Sequence, residues 1–359
     1  MQGDGVIERV RQHRGQRVRI LGRGRPTDVP PPGPATPGTI RILARSVEHP
    51  GAQELAPEEL ERSIAAGDLV WIDIVPGTAT EMLLDARLHL GPLTIEDCLV
   101  PLRMPKLDPL PGGGAFVAVF PVRLVEGFEP RLRMSAVPIV VGPRYIVTVQ
   151  REPTLELSLR LESAFNGEIP LVEPSGAALA HLAVDALVDR HLPVMLRTAE
   201  VAEELEERLN PQSERDSLDA LDRLIILRRD LLAFRRLGVA QQEVLGRLGR
   251  LYPSVRAYLT DVADNQQEAV DTAAATCDYI DGAIEGYRLR RDARTEDGIR
   301  RLTVLAGILG PLSIIIGLWG VNFPNIPGTS HSWGWMVFVL VQLIFVLIGV
   351  WYFRRRGLL

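Results

Sequence analysis

Nine positions at seven-residue spacing carry the first chemical signal: Asp264, Asp271, Asp278, Glu285, Asp292, Ile299, Ala306, Ser313 and Gly320. A seven-residue repeat stays near one face of a helix, drifting by about 20° per heptad unless the helices supercoil. The first five positions are carboxylates, the last three are small, and Asn322 follows with a neutral side-chain amide. Glu296, one turn beyond Asp292, falls near the same face. Carboxylates raise the local cation concentration and repel one another when no cation lies between them. In an oligomer, an acidic stripe leading to a small-residue face would concentrate cations at its mouth. A solvated helix face can carry the same acids, so the small residues must decide.

Those residues sit in the first of two uncharged apolar runs, Leu302 to Gly320 (LTVLAGILGPLSIIIGLWG) and Trp333 to Phe353 (WGWMVFVLVQLIFVLIGVWYF). Each has about the 20 residues that cross a bilayer. Arg300 and Arg301 precede the first run, Arg354, Arg355 and Arg356 follow the second, and the loop between them has no arginine or lysine. The positive-inside rule then puts both ends of the hairpin in the cytoplasm and Asn322 outside. Trp319, Trp333 and Trp335 mark the outer boundary and Trp351 with Tyr352 the inner one. Gly310 and Gly317 lie one turn from Ala306, Ser313 and Gly320, while Leu305, Ile308, Ile315 and Leu318 fill other faces. Small residues at such spacing bring membrane helices together; the same face can also line a pore, continued toward the cytoplasm by Leu302 and Ile299. Pro311 deprives the Gly307 carbonyl of its helical donor. Polar groups at membrane depth are tolerated only against water or protein, which favours the pore. Two spans enclose no water path, so conduction requires an oligomer.

The elements before the membrane divide by pattern. Residues 1–38 form an arginine- and proline-rich tail, ending in PTDVPPPGPATPG, too proline-rich for a helix or central strand. Residues 39–165 read as a cytoplasmic α/β domain. TIRILARSVE, DLVWIDIV, GAFVAVFPVRLV, AVPIVV and YIVTVQ are short β-branched runs among helical candidates such as PEELERSIAAG and TATEMLLDARL. Thr78 and Glu81 are spaced as a capping box, and so are Ser213 and Asp216. Residues 166–252 read as a helical hairpin, with helices from Gly176 to Leu209 and from Ser213 to Leu248. With no proline between Pro253 and Pro311, one helix is predicted from Ser254 to Gly320, about 100 Å long. It comprises a stalk over 253–301 and a membrane helix over 302–320. An outer loop at 321–332, a second membrane helix at 333–353 and a basic cytoplasmic tail at 354–359 complete the chain. The fold class is an α+β cytoplasmic part, an α/β sandwich with long helices, followed by two C-terminal transmembrane helices.

Several function classes are excluded. A net charge of -5 argues against nucleic-acid binding. Lys106 is the only lysine, and Cys98 and Cys277 are too far apart in sequence for a metal clip. Arg9, Arg11, Arg14, Arg17 and Arg19 have no apolar segment behind them, so the N-terminus does not read as a signal peptide. No Walker A loop, GxGxxG, HExxH or GxSxG is present, which gives no enzyme and no cofactor. The remaining rival is a membrane-anchored sensor or scaffold, which needs neither the asparagine nor the small-residue face.

The segment RRLTVLAGILGPLSIIIGLWGVNFPNIPG resembles the first membrane helix and signature loop of the CorA-type divalent cation transporters, whose hallmark is Gly-Met-Asn followed by Phe. RRRGLL after the second helix, YLTDVADNQQEAVD at the stalk and LTIEDCLVPLRMPKLD upstream are similar to the family as well. The resemblance implies a homopentamer in the cytoplasmic membrane with Mg²⁺ as both transported and regulatory ion, cobalt or nickel being further candidates. It implies Asn322 as the selectivity ligand, the Gly320 carbonyl beside it and Ser313 as a deeper polar ring, where the family commonly has threonine. Phe323 and the prolines fix the loop. Val321 replaces the signature methionine, and Gly328 stands where many members carry a glutamate. The related ZntB branch, similar to zinc carriers, tolerates variation at the middle signature position, so zinc is the alternative substrate. His331 between Ser330 and Ser332 reads as a solvated loop residue more often than as a zinc ligand. By the same resemblance, regulatory ions lie between subunits, held by a stalk acid and an acid of the α/β domain, here Glu285 and Asp97. Adjacent Glu96 is the alternative to Asp97. The acid-rich EVAEELEERLN reads as a solvated helix end.

Overall fold

The computed structural model describes residues 38–46, 51–127, 129–209, 214–320 and 333–356. The tail and the outer loop, including Val321, Asn322, Phe323, Gly328 and His331, lie outside the described residues.

Seven strands form one sheet: β1 (Ile40–Arg45), β2 (Gln53–Glu54), β3 (Leu69–Ile74), β4 (Lys106–Pro109), β5 (Ala115–Val119), β8 (Val137–Val141) and β9 (Tyr145–Val149). Their spatial order is β2-β1-β3-β9-β8-β5-β4, with β3 and β9 parallel and the other neighbours antiparallel. Side chains alternate between faces along a strand, and each face has its own core. Val70, Ile72, Phe116, Val140 and Val147 pack under α1 (Leu60–Ala66), α2 (Thr80–Ala86) and α3 (Pro92–Leu99). Trp71, Val117, Ile139 and Ile146 pack under α4 (Leu155–Phe165) and α5 (Gly176–Val188). The result is a three-layer sandwich. Gly176 lets α5 begin against the β8–β9 turn, since a Cβ there would stand 1.9 Å from the Gly142 carbonyl oxygen.

GAFVAVFPVRLV divides at Phe120–Pro121, and its second half, β6 (Val122–Val125), pairs with β7 (Arg131–Met134) as a separate hairpin. That hairpin caps a second core built from α6 (His191–Glu207), α7 (Glu214–Leu251) and α8 (Arg256–Gly320), where Leu205, Leu227, Leu231, Phe234 and Ile280 meet.

Three expectations are corrected. The helix predicted from Gly176 to Leu209 is two helices, α5 and α6, broken at Asp189–Arg190. Pro193 explains the break, because its ring collides with the carbonyl four residues earlier, that of Asp189. Freed at that point, α5 is almost wholly buried against the sheet, so the sandwich extends past the expected boundary at 165. The capping box at Thr78 and Glu81 is not formed: Ala79 is the N-cap of α2, and buried Thr80 accepts from the Gly77 N–H through Oγ1 at 2.9 Å. Ser213 of the second expected box lies outside the described residues.

The long helix is present: α8 runs unbroken for 65 residues through Pro311. Its last buried bundle residue is Tyr287, and from Arg288 to Thr303 every residue is exposed. It then meets α9 (Gly334–Arg355), the second apolar helix.

Candidate ion path and cytoplasmic acid cluster

In the membrane hairpin, α8 turns one face to α9 and the opposite face to open space. Val304 is 5% exposed. A Cβ on Gly307 would come within 2.6 Å of the Phe353 ring, and one on Gly349 within 3.3 Å of Ile308. At 3.6 residues per turn, Ala306, Gly310, Ser313 and Gly317 project roughly half a turn away from Val304 and Ile308. All four are exposed, and a Cβ on Gly310 or Gly317 would meet nothing within 4 Å. Ile299, Leu302 and Glu296 are also exposed, on the N-terminal continuation of that side. Gly320 ends the helix. The small-residue stripe is therefore not used to pack the chain's own hairpin. Ser313 Oγ donates to the Leu309 carbonyl at 2.8 Å, which uses its only hydrogen inside the helix and leaves its oxygen lone pairs for the open side.

The acids that precede the membrane hairpin separate into two environments. Asp97 on α3 is half-buried and forms an ion pair with Lys106 Nζ at 2.6 Å, while Glu96 is exposed. Lys106 also holds Asp108 at 2.7 Å, and these hydrogen bonds, to Asp108 first, raise its pKa. Glu285 stands in a groove between α7 and α8 whose lining includes Arg228, Arg229, Arg235, Arg236 and Arg288. Its closest cation is Arg288, at 4.0 Å. The field in this groove opposes a bound dication.

Where α5, α6 and the start of α8 meet, the balance reverses. Asp185 and Asp189 share Arg160, at 2.6 and 2.8 Å. Burial raises the pKa of both, and negative Asp261 raises both further against the lowering by Arg160. His181, 5.2 Å from Tyr258 between ring centroids, is held below its ordinary pKa by burial and by Arg160. Three acids thus face one cation and a histidine biased toward neutrality. Among the described residues no group of three or more His, Cys, Asp or Glu is placed to hold a metal ion alone. Nothing in the heptad of acids points to these three carboxylates together. Their one local signal is the four-residue spacing of Asp185 and Asp189 in VDALVD, which puts both on one helical face.

An α/β sandwich joined by one continuous helix to an apolar hairpin defines a membrane protein with a large part outside the bilayer. Residues 66–355 match the family described as CorA-like Mg2+ transporter protein. The chain belongs to that family: it is a divalent cation transporter, not an enzyme. YfjQ of Bacillus subtilis (strain 168), whose name proposes metal ion transport, is 24% identical over 324 residues, 88% of this chain and 98% of that protein. The zinc transport protein ZntB of Pectobacterium carotovorum subsp. carotovorum (strain PC1) is 24% identical over 255 residues, 68% of this chain and 74% of that one. Among solved structures, the CorA magnesium transporter from Methanocaldococcus jannaschii superimposes with a TM-score of 0.76 at 16% identity, covering 90% of this chain and all of that one. The last likeness concerns the fold.

Proposed function

We propose that five copies of this chain assemble in the cytoplasmic membrane, termini inside, and admit Mg²⁺ along a path lined by α8. The observation that carries the reading is the stripe of Ala306, Gly310, Ser313 and Gly317, exposed and turned away from α9. The bare stretch from Arg288 to Thr303 supports it, because a helix exposed on all sides gains its tertiary support from neighbouring copies. Asn322 closes the outer end as a ring of amide oxygens, with the Gly320 carbonyl and Val321 beside it. Neutral oxygens suit Mg²⁺, which sheds water reluctantly and accepts ligands through its shell. Zinc is the second reading, favoured by the ZntB relative. Purified full-length protein in liposomes, challenged with Mg²⁺, Co²⁺ and Zn²⁺ in turn, tests both: Mg²⁺ flux that Asn322→Ala abolishes is the expected result. Faster zinc flux selects the second reading, and no flux of any ion leaves a membrane-anchored scaffold.

Intracellular Mg²⁺ closes the path by bridging subunits. Of the acids paired by family resemblance, Asp97 remains a candidate, whereas the arginines around Glu285 disfavour it as the stalk partner. Asp261, whose charge acts on Asp185 and Asp189, is the better stalk candidate, facing Asp97 of the neighbouring copy. Asp189→Asn with Asp261→Asn is expected to remove the protection that Mg²⁺ gives against protease, and Glu285→Gln to retain it; the opposite pattern restores Glu285. Protons compete with the ion at Asp185 and Asp189, so protection weakens as pH falls through their raised pKa values. Without Mg²⁺ the sign reverses. A carboxyl whose folded pKa lies above its unfolded value stabilises the fold fully below the unfolded pKa, and this contribution is lost as pH rises through the folded one. In the metal-free protein these two carboxyls therefore contribute stability that grows as pH falls through their raised pKa values.

A further inference from the structure

Two large grooves mark the cytoplasmic surface, and they treat arginine differently. In the first, of about 800 Å³ between α4, α6 and β6, each arginine has a carboxylate. Arg123 meets Glu152 at 2.6 Å, Arg160 meets Asp185 and Asp189, Arg190 meets Glu156 at 2.5 Å, and Arg197 meets Glu126 at 2.8 Å. The second, of about 1320 Å³, is the groove of Glu285. There Asp281 is taken up by Arg228, at 2.6 Å from Nε and 2.9 Å from the second nitrogen. Arg229, Arg235 and Arg236 have no ion pair among the described residues, and Arg288 reaches Glu285 only at 4.0 Å. Four cations therefore face one carboxylate.

Spacing and neighbours narrow the counter-ion. Arg229 and Arg236 are seven residues apart on α7, about 10 Å along the axis, and Arg288 faces them from α8. That span suits a chain of linked phosphates, which guanidinium groups hold in bidentate fashion. Beside them Ile225, Leu232 and Val239 repeat at the same seven-residue spacing. Leu232 packs partly against the helical core, while Ile225 is 47% and Val239 54% exposed and nothing among the described residues covers them. Inorganic phosphate has no use for these apolar side chains. A membrane headgroup is too far, since Arg288 precedes the apolar run at Leu302 by fourteen residues, about 21 Å of helix. We propose that this groove binds a nucleoside polyphosphate, with its phosphates on Arg229, Arg235, Arg236 and Arg288 and its flat ring against Ile225, Leu232 and Val239. Such a ligand would bridge α7 to α8 just below the bare segment of α8, where it bears on the stalk.

The inference does not depend on which ion the chain passes. Its test is titration calorimetry on the full-length protein in neutral detergent without divalent cation, using ATP, pyrophosphate and adenosine as probes. ATP is expected to bind more tightly than pyrophosphate, and adenosine weakly or not at all. Arg235→Gln with Arg236→Gln is expected to weaken ATP at least tenfold. Ile225→Ser is expected to weaken ATP but leave pyrophosphate unchanged. Absence of ATP binding to the wild type, or equal binding by the arginine variant, overturns the proposal. Equal affinity for ATP and pyrophosphate, with no effect of Ile225→Ser, reduces the groove to a phosphate site and overturns the nucleoside assignment. Light scattering on the same samples covers the remaining alternative: if the arginine variant loses its oligomeric state while the wild type ignores ATP, the groove is a subunit contact.

Discussion

Gly307 and Gly317 are the same residue on one helix, ten positions apart, and they do opposite things. Gly307 is small because Phe353 occupies the space a side chain would need; at Gly317 a Cβ would meet nothing. A glycine-rich membrane helix thus carries two separate reasons for small residues, close packing on one side and clearance on the other. The contrast sets the largest expected effect. Gly317→Leu or Gly310→Leu leaves the hairpin intact and, repeated around a ring, narrows and dewets the path. Mg²⁺ flux into liposomes is expected to fall to the protein-free background with the oligomer still assembled. Near-normal flux from an assembled Gly317→Leu variant would put this face against lipid and end the pore reading.

The packed face answers to stability instead. Gly307→Ala forces a methyl group to within 2.6 Å of the Phe353 ring, and overpacking of this kind costs about 1–3 kcal/mol. The expected readout is a lower unfolding temperature in detergent, with flux per assembled oligomer unchanged. Phe353→Leu, made in the Gly307→Ala background, is expected to recover much of the loss. If Gly307→Ala instead stops flux at full stability, the two faces have been assigned the wrong way round.

This division was only partly legible in the sequence. Apolar runs of bilayer length give both membrane helices, and the absence of proline from 254 to 310 gives the long stalk, because these signals are local and repeated. The small-residue stripe was equally visible, but its orientation to α9 is tertiary. Ahead of the membrane helices, β4 gives no strand signal because KLDP is charged and ends in proline, which an edge strand tolerates. The break after α5 was marked by Pro193, outweighed in reading by a continuous apolar period on either side. Glu285 shows the sharper limit. Its place in the heptad of acids is plain, yet the arginines that reverse its electrostatic setting come from α7, about fifty residues away in sequence. Asp185 and Asp261 likewise influence each other only because α5 packs beside the first turns of α8. Charge counted along a chain does not report the field a carboxylate feels once helices pack.

The smallest expected effect is also the finest probe of the two faces. Because the Ser313 hydroxyl hydrogen is already donated to Leu309, the proposed path would offer a hydrated ion only oxygen lone pairs at this position. Ser313→Ala removes one such acceptor without changing the width of the path. A neutral hydrogen bond is worth about 0.5–1.5 kcal/mol, equivalent to about two- to tenfold in rate, and flux is expected to fall within that range. Ser313→Thr, which keeps the oxygen, is expected to stay near wild type. Position can be read separately from function by placing a cysteine at Ser313 and, in a second protein, at Ile315, which is half-buried on the side toward α9. The native Cys98 and Cys277 are both buried and give a low background. A membrane-impermeant thiol reagent reacts with thiolate, which forms only where water reaches. Ser313→Cys should therefore label quickly in open channels and slowly when Mg²⁺ closes them, while Ile315→Cys stays unlabelled in both. Equal labelling of the two would mean that water surrounds α8 on every side, and the distinction between a packed and an open face would fail.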